Sequence, residues 1–284
     1  MQMPKFGPGG GCEQFRLSGA KSVLDAPSFV KKYGLDAYEY EAGNGLSASA
    51  ESLLLIGQEA KRQGIVMSLH APYFISLSSI EAEKRRNSVE YIRRSLSAAR
   101  LLGARIIVVH TGSAAKISRS EAMDFAKDTL YKTLESVENY GVLIGLETMG
   151  KQNQLGTLDE VIELCSMDKR LFPVVDFGHM NARECGDVFP DKDAYLRVFD
   201  AIGSRLGDET ARSLHCHFSK IEWTAAGEKR HLTFEDENFG PDFEPLAEAI
   251  ASERLAPTVI CESAGTQTRD AKHMKDAYER RMGV

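Results

Sequence analysis

The chain has 284 residues, of which 43% are hydrophobic and 27% are charged, a balance typical of a globular protein with a sizeable core. Its formal net charge of -6 argues against a protein whose whole surface is a nucleic-acid footprint, although a local basic groove remains compatible with it. No apolar run approaches the roughly 18 residues that a membrane span needs, and the N-terminus has no apolar signal-peptide core. Five cysteines without close-pair spacing suit reduced thiols, so we expect a cytoplasmic protein. Because it lacks a long apolar run, we expect no membrane partner.

Short apolar runs alternate with amphipathic stretches along the whole chain. The predicted strands lie near Lys5–Pro8, near Ala37–Glu41, and in segments that end at His70, His110, Glu147, Asp176, His217 and Glu262. The predicted helices are Ala26–Tyr33, Ser49–Gln63, Ile80–Leu102, Ser118–Tyr140, Leu158–Cys165, Asp191–Leu206, Phe243–Ser252 and Arg269–Arg281. Eight such strand–helix units predict an α/β protein, a (β/α)8 TIM barrel in a single domain over residues 1–284. An open doubly wound sheet is the alternative, but the chain has no dinucleotide-binding glycine motif.

The six predicted strands named by their last residue end on a His, Asp or Glu, which are residue types that bind metal ions. In a barrel of this kind the carboxyl ends of the strands surround the active site. Any one of these residues alone could be a hydrogen-bonding residue or a helix cap. Six of the seven histidines, however, lie at or just beyond a strand end: His70, His110, His179, His215, His217 and His231. The sequence therefore predicts a polynuclear metal site at one rim of the barrel.

Seven short motifs lie in order between His70 and Glu262. They are His70-Ala-Pro-Tyr-Phe, Val109-His110-Thr-Gly-Ser, Leu146-Glu147-Thr, Val175-Asp176-Phe-Gly-His179, Leu214-His215, Arg230-His231 and Cys261-Glu262. Each motif alone is weak, but as a set, in this order and at this spacing, they resemble the endonuclease IV family of apurinic/apyrimidinic endonucleases. That family belongs to the xylose-isomerase-like barrels.

The resemblance implies a centre of three zinc ions. It assigns His70, His110 and Glu147 to the first ion. It assigns Glu147, as a bridging carboxylate, together with Asp176, His215 and Glu262 to the second ion. His179 and His231 would be two of the three protein ligands of the third ion. The carboxylates also admit manganese or iron in place of zinc.

The chain departs from the family at the third ion. The family has an Asp-x-His pair where this chain has Lys229-Arg230-His231. A lysine ammonium has no lone pair to offer, so either two or three ions are expected. Glu228 is adjacent and is one candidate for the missing ligand. His217, whose strand parity points it inward beside His215, is another. Lys229 is itself a catalytic candidate, since its charge would stabilise the phosphate in place of an ion.

The resemblance implies a metal-dependent phosphodiesterase that cleaves DNA at abasic sites with a hydroxide held between metal ions. Glu147 and Glu262 would be catalytic, with Glu262 orienting the nucleophile. Tyr73 and Phe74 resemble the pair of residues that the family inserts into the duplex. Candidate phosphate contacts, of which Lys229 and Arg230 are the strongest, are Lys116, Arg119, Lys151, Arg183, Lys220, Lys229 and Arg230. The short loop at 42–46 lacks the basic and aromatic residues of the family, which weakens the expectation of DNA.

A divalent-metal sugar isomerase or epimerase of the xylose-isomerase-like type is the alternative function. Glu147, Asp176, His215 and Glu262 also fit a one-metal set, in which two glutamates move a proton next to a carbonyl group. That reading leaves four histidines without a role, which favours the phosphodiesterase. A barrel that keeps its ligands only for stability is a third possibility.

Overall fold

The computed structural model describes residues 3–20 and 22–283. In chain order its strands are β1 (Lys5–Pro8), β2 (Ala37–Glu41), β3 (Val66–His70), β4 (Ile106–His110), β5 (Leu143–Glu147), β6 (Leu171–Asp176), β7 (His215–Phe218), β8 (Ile221–Thr224), β9 (Gly227–His231) and β10 (Thr258–Cys261). Its helices are α1 (Glu13–Leu17), α2 (Ala26–Lys32), α3 (Ala50–Gln63), α4 (Ala82–Leu102), α5 (Arg119–Ser136), α6 (Leu158–Cys165), α7 (Phe177–Arg183), α8 (Lys192–Leu206), α9 (Asp208–Arg212), α10 (Glu244–Ser252) and α11 (Gln267–Met282).

Eight of the strands form one parallel sheet in the order β1-β10-β7-β6-β5-β4-β3-β2. Its two outer strands also meet, because the amide of Asp36 donates to the carbonyl of Phe6 at 2.9 Å and the amide of Gly10 donates to the carbonyl of Glu39 at 3.0 Å. Glycine is required at position 7, since a Cβ there would lie 1.7 Å from the carbonyl oxygen of Ala37. The sheet thus closes into a barrel, and the predicted (β/α)8 fold is confirmed.

The helices around the barrel begin and end at recognisable caps. The side chain of Ser49 accepts a hydrogen bond from the amide of Ser52 at the start of α3, and Gly64 ends that helix in the left-handed conformation. The sequence prediction extended α5 to Tyr140, but the helix ends at Ser136. Val137 takes an extended conformation there and buries its side chain in the core, which stops the helix early.

The unpredicted elements near the carboxyl ends of the strands include α7 and the β8–β9 hairpin. The first is α7; its N-cap is Asp176, whose Oδ1 accepts a hydrogen bond from the amide of His179 at 2.7 Å. The second is the antiparallel hairpin of β8 and β9, which pairs Ile221 with His231. The hairpin packs on α7 and is bridged to the loop after β5 between Lys151 and Gly227.

The hydrophobic core lies mainly between the barrel and its surrounding helices. A smaller apolar cluster, formed by Ile106, Val108 and Val174 with Leu143 and Phe172, lies on β4, β5 and β6. These residues alternate with those facing the helices, so the cluster lies inside the barrel. Over the described ranges, every helix is too short or too polar to cross a membrane.

Candidate metal centre

Glu147, at the end of β5, lies at the centre of the strand-end residues. Its Oε2 lies 3.1 Å from Nε2 of His110 and 3.6 Å from Nε2 of His70. The other ring nitrogen of His70, Nδ1, lies 2.9 Å from the carbonyl oxygen of Ala71, which can only accept. In a neutral His70 the proton therefore sits on Nδ1, and the Nε2 lone pair faces the carboxylate. His70, His110 and Glu147 form one group that could hold a metal ion, which we call group A.

A second group, group B, uses the other side of the same carboxylate. Oε1 of Glu147 lies 2.8 Å from Nδ1 of His217, and this nitrogen also lies 3.3 Å from Oε1 of Glu262. With Asp176 these residues bring four possible ligand atoms together.

His215 does not take the place in group B that the sequence analysis gave it. It lies two residues earlier on β7, so its side chain points into the same barrel but one layer deeper. There its Nε2 contacts Glu39 at 2.9 Å. The structure brings His217 into group B instead, and places His215 with Glu39 and His217 in a further group that could hold a metal ion. Strand parity alone allowed either histidine.

A third group, group C, consists of His179, Glu228 and His231. Nδ1 of His179 lies 3.0 Å from the carbonyl oxygen of Thr148, while its Nε2 lies 3.5 Å from Oε2 of Glu228. Because the carbonyl can only accept, a neutral His179 turns its Nε2 lone pair toward Glu228. Nδ1 of His231 is 2.8 Å from Oγ of Ser219. Glu228, one of the two candidates for the missing ligand, thus lies with His179 and His231.

A bulge in the hairpin explains why Glu228, and not Lys229, faces His179. Glu222 pairs with Arg230 and Trp223 pairs with Glu228, so Lys229 is the extra residue of β9. Lys229 lies 2.6 Å from Oε1 of Glu222, and Arg230 lies 2.6 Å from Oε2 of the same residue. The side chains of Lys229 and Arg230 are 54% and 68% exposed. The structure therefore does not bring Lys229, predicted as catalytic, into contact with the three groups.

The chemistry of the donors in these groups fits divalent cations. Among the described residues, Oε2 of Glu147 and Oδ2 of Asp176 are buried without a hydrogen-bond partner. A buried oxygen of this kind is costly unless a proton or a cation satisfies it. Lone pairs of imidazoles facing carboxylates are likewise the arrangement that a metal ion needs.

The electrostatics of the centre support the same fit. Burial opposes the charged form of His70, but the charges of Glu41 and Glu147 raise the pKa of His70 to about 10. Burial likewise opposes the charged form of His179, yet Asp176 and Glu228 raise the pKa of His179 to about 9. The carboxylates of the centre thus stabilise bound positive charge. In the metal-free protein this charge is carried by protons on His70 and His179.

The predicted aromatic pair lies at the mouth of the centre. The ring of Tyr73 stacks on the ring of His110 with centroids 5.3 Å apart, and Tyr73 is 53% exposed. Phe74 packs edge-on against Tyr91 at 4.6 Å and is 50% exposed. Tyr73 thus lies directly over group A, while Phe74 lies to its side.

Several predicted phosphate contacts are already bonded within the protein. Arg119 pairs with Glu160 at 2.6 Å, and Lys220 donates to the carbonyl of Asp236 at 2.6 Å. Arg183 is buried and donates to the carbonyls of Met149, Lys151, Gln152 and Gln154. With Lys229 and Arg230 on Glu222, only Lys151 among the predicted cations lines the cavity of about 800 Å³ at the centre.

Two acidic residues of β2 at the centre were missed by the sequence analysis. Glu39 is fully buried among the histidines of β7, and Glu41 lines the cavity. The alternation Ala37-Tyr38-Glu39-Tyr40-Glu41 was the available signal, since it puts both carboxylates on one face of the strand. Attention to strand ends alone could not find Glu39.

The comparisons with known proteins agree with this fold. Residues 27–281 match the family described as xylose isomerase-like TIM barrel, and the chain belongs to that family. An uncharacterized protein of Methanocaldococcus jannaschii is 32% identical over 251 residues, covering 86% of this chain and 88% of the relative. A probable endonuclease 4 of Acholeplasma laidlawii is 32% identical over 178 residues, covering 60% of this chain and 59% of the relative.

Solved structures add the fold but not the function. Endonuclease IV from Thermus thermophilus is similar with a TM-score of 0.68, at 20% identity over 99% of each chain. A D-tagatose 3-epimerase-like protein is similar with a TM-score of 0.71, at 22% identity over 98% of this chain and 97% of the other. At these identities the barrel is shared between different kinds of enzyme.

Proposed function

We propose that the protein is a metal-dependent phosphodiesterase of the endonuclease IV type, which cleaves DNA at abasic sites. The observation that supports this most directly is the position of Glu147, one carboxylate shared by groups A and B. A shared carboxylate is typical of centres in which metal ions lie close together. Group C, beside them, extends the set to three. Zinc suits the five histidines involved, and manganese or iron suits the carboxylates.

In this proposal each group holds one ion with the residues already described. When bound, the ions would supply Lewis-acid charge to a phosphate and lower the pKa of a coordinated water. Glu147 would hold two ions in a fixed relation, because both of its oxygens are engaged by histidines of three different strands. Glu262 would orient the attacking group, since its residue lines the cavity.

The rim residues would contact the nucleic acid. The exposed ring of Tyr73 offers a flat apolar surface over group A on which a sugar or base can pack. Phe74 would support the same contact from the side. Arg230 would have to exchange Glu222 for a phosphate, which is inexpensive for an exposed ion pair. Lys229 as a catalytic residue remains a prediction, and its pairing with Glu222 favours Glu228 as the functional residue of this hairpin.

A sugar epimerase is the second candidate. Group B alone, with Glu147, Asp176, His217 and Glu262, has the composition of a single-metal site for proton transfer, and an epimerase-like protein has the same fold. A one-metal reaction, however, leaves the imidazoles of groups A and C facing carboxylates for no purpose. A phosphodiesterase with three ions would use these imidazoles as ligands, and they therefore favour the phosphodiesterase.

The deciding experiment counts ions before it measures activity. Elemental analysis of the purified protein, with anomalous scattering to place each metal, should find ions at groups A and B and at group C. Incision of a duplex with one abasic site should then exceed incision of the matched intact duplex, and a ketose epimerisation assay should be negative. One ion only, at group B, together with epimerase activity, would contradict the proposal.

A further inference from the structure

The interior of the barrel is polar one layer below the proposed ions. Glu39 on β2 and His215 on β7 lie there, and both are buried, with relative exposures of 0% and 5%. On the opposite side of the barrel, Ile106, Val108 and Val174 form an apolar cluster instead. A buried carboxylate is costly, so its presence in a barrel interior calls for an explanation.

Glu39 engages two histidines with its two oxygens. Oε2 lies 2.9 Å from Nε2 of His215, and Oε1 lies 2.8 Å from Nε2 of His217. His217 therefore has a carboxylate at each ring nitrogen, since its Nδ1 lies 2.8 Å from Glu147. Over the described residues, neither Oε1 of Glu39 nor Nε2 of His217 has a hydrogen-bond partner, so these two buried atoms face each other as an ion pair.

The sequence of β1 makes this contact across the barrel possible. Position 9, just after β1, is a glycine, and a Cβ there would lie 3.1 Å from Oε1 of Glu41 and 3.4 Å from Cγ2 of Ile260. With glycine also at position 7, this segment puts no side chain between β2 and the strands beyond it. The carboxylates of β2 can therefore reach toward β7.

We propose that Glu39 is a positioning residue of the metal centre. It occupies the Nε2 side of His217, so that Nδ1 of this ring is directed at Glu147, Asp176 and Glu262. A carboxylate behind a metal-binding imidazole fixes the tautomer and the ring orientation, and makes the imidazole a stronger ligand. The inference rests on the proposed metal centre but not on the proposed substrate.

His215 completes this arrangement from below. Its contact with Oε2 holds the second oxygen of Glu39, so the carboxylate is fixed at two points rather than one. It also places the N–H of an imidazole beside the buried carboxylate of Glu39, which would otherwise have no partner on that side. This role explains why β7 has histidine at two inward positions while only His217 belongs to group B.

The test compares metal affinity in three variants. Glu39→Ala removes both contacts, and Glu39→Gln keeps an oxygen acceptor of the same reach without the charge. Ser68→Ala is the matched control, because Ser68 is buried on the neighbouring strand and has no hydrogen-bond partner in the described structure. Zinc affinity is measured by competition with a chromophoric chelator, and cobalt spectra report the geometry at group B. Thermal unfolding of each metal-free variant checks that it folds.

We expect Glu39→Ala to weaken the ion of group B by about 10–100-fold. Glu39→Gln should weaken it less, and Ser68→Ala should not change it. In a His217→Ala background, Glu39→Ala should have no further effect on that ion, because the residue acts through His217. Nitrogen-15 shifts of the zinc-loaded protein should show His217 bound through Nδ1 in the parent and a mixture of nitrogens in Glu39→Ala.

Three results would overturn the inference. Wild-type affinity in both Glu39 variants would show that the contact positions nothing. Loss of one ion with unchanged affinity at group B would make Glu39 the ligand of a separate ion, held with His215 and His217. A protein without any bound ion would overturn both this inference and the proposed function. Weakened binding at group B in a protein that does not cut abasic DNA would leave the inference standing and remove only the substrate.

Discussion

Groups A and B differ from group C in what carries their ligands. Every possible ligand of A and B lies within one residue of the end of a barrel strand, whereas C is built from α7 and the β8–β9 hairpin. Barrel strands are hydrogen-bonded on both sides, so their inward side chains start from fixed positions. In the hairpin, by contrast, β8 and β9 pair only with each other, and α7 and a few loop contacts fix them to the barrel. Groups A and B should therefore bind ions more tightly and more rigidly than group C.

The largest effect is expected from Glu147→Gln, which alters the carboxylate common to groups A and B. The amide removes a negative charge between three histidines, and its nitrogen cannot accept a metal ion. We expect both ions to be lost and activity to fall by at least about 100-fold. Elemental analysis and the incision assay measure the two effects.

Glu262→Gln is the matched comparison for that variant, because Glu262 belongs to group B and not to group A. It should lose the ion of group B and keep the ion of group A. Loss of both ions in Glu262→Gln as well would show that groups A and B do not bind their ions independently. It would also contradict the view that only Glu147 is common to the two groups.

The next effect concerns the hairpin, where Glu228→Ala is compared with Lys229→Ala. Glu228 is within reach of His179, whereas Lys229 pairs with Glu222 on the outer face. Glu228→Ala should weaken the third ion by about 10–100-fold while groups A and B keep their ions. Lys229→Ala should change neither ion content nor turnover at saturating substrate. A large loss of turnover in Lys229→Ala would restore the lysine as a catalytic residue.

The same contrast separates what the sequence could predict from what it could not. The convergence of the strand-end candidates His70, His110, Glu147, Asp176 and Glu262 was predictable, because strand ends in a barrel meet at one rim whatever the details of packing. The choice between His215 and His217 depends on how far β7 is staggered against its neighbours, which no local pattern encodes. Glu228 depends on a bulge in a hairpin that has little apolar alternation. Glu39 was missed because it lies mid-strand, where apolar side chains were expected.

A smaller effect is expected in the pH dependence of ion binding. The pKa of His70 is raised to about 10 and that of His179 to about 9, so each holds a proton at pH 7 in the metal-free protein. An ion must displace that proton, and affinity should therefore rise with pH. The rise should level off near pH 9 for group C and near pH 10 for group A. Calorimetry in two buffers of different ionisation enthalpy would count the protons released.

The sign of the accompanying stability change follows from the same shifts. Both histidines have a higher pKa in the folded protein than in the unfolded chain, so they stabilise the metal-free fold fully below about pH 6.5. This contribution is lost as pH rises through about 9 and then about 10. Metal-free protein should thus unfold at lower temperature at about pH 10 than at about pH 7. Release of no proton on zinc binding at neutral pH would contradict both expectations.

The smallest effect is expected from Arg183→Gln, which tests the support of group C from behind. Arg183 lies on the same helix as His179 and donates to four carbonyls of the 149–154 loop, to which the hairpin is bridged at Gly227. Arg119→Gln is the control, because Arg119 donates to two of the same carbonyls but is more exposed. Losing the Arg183 bonds should lower the free energy of unfolding by about 1–3 kcal/mol, since the buried carbonyl of Met149 and three partly buried carbonyls lose a donor. The third ion should weaken only a few-fold, because the glutamine touches none of its ligands, and groups A and B should not change. Equal weakening of all three ions would mean that the hairpin and the barrel strands respond as one unit, and the difference in rigidity between them would disappear.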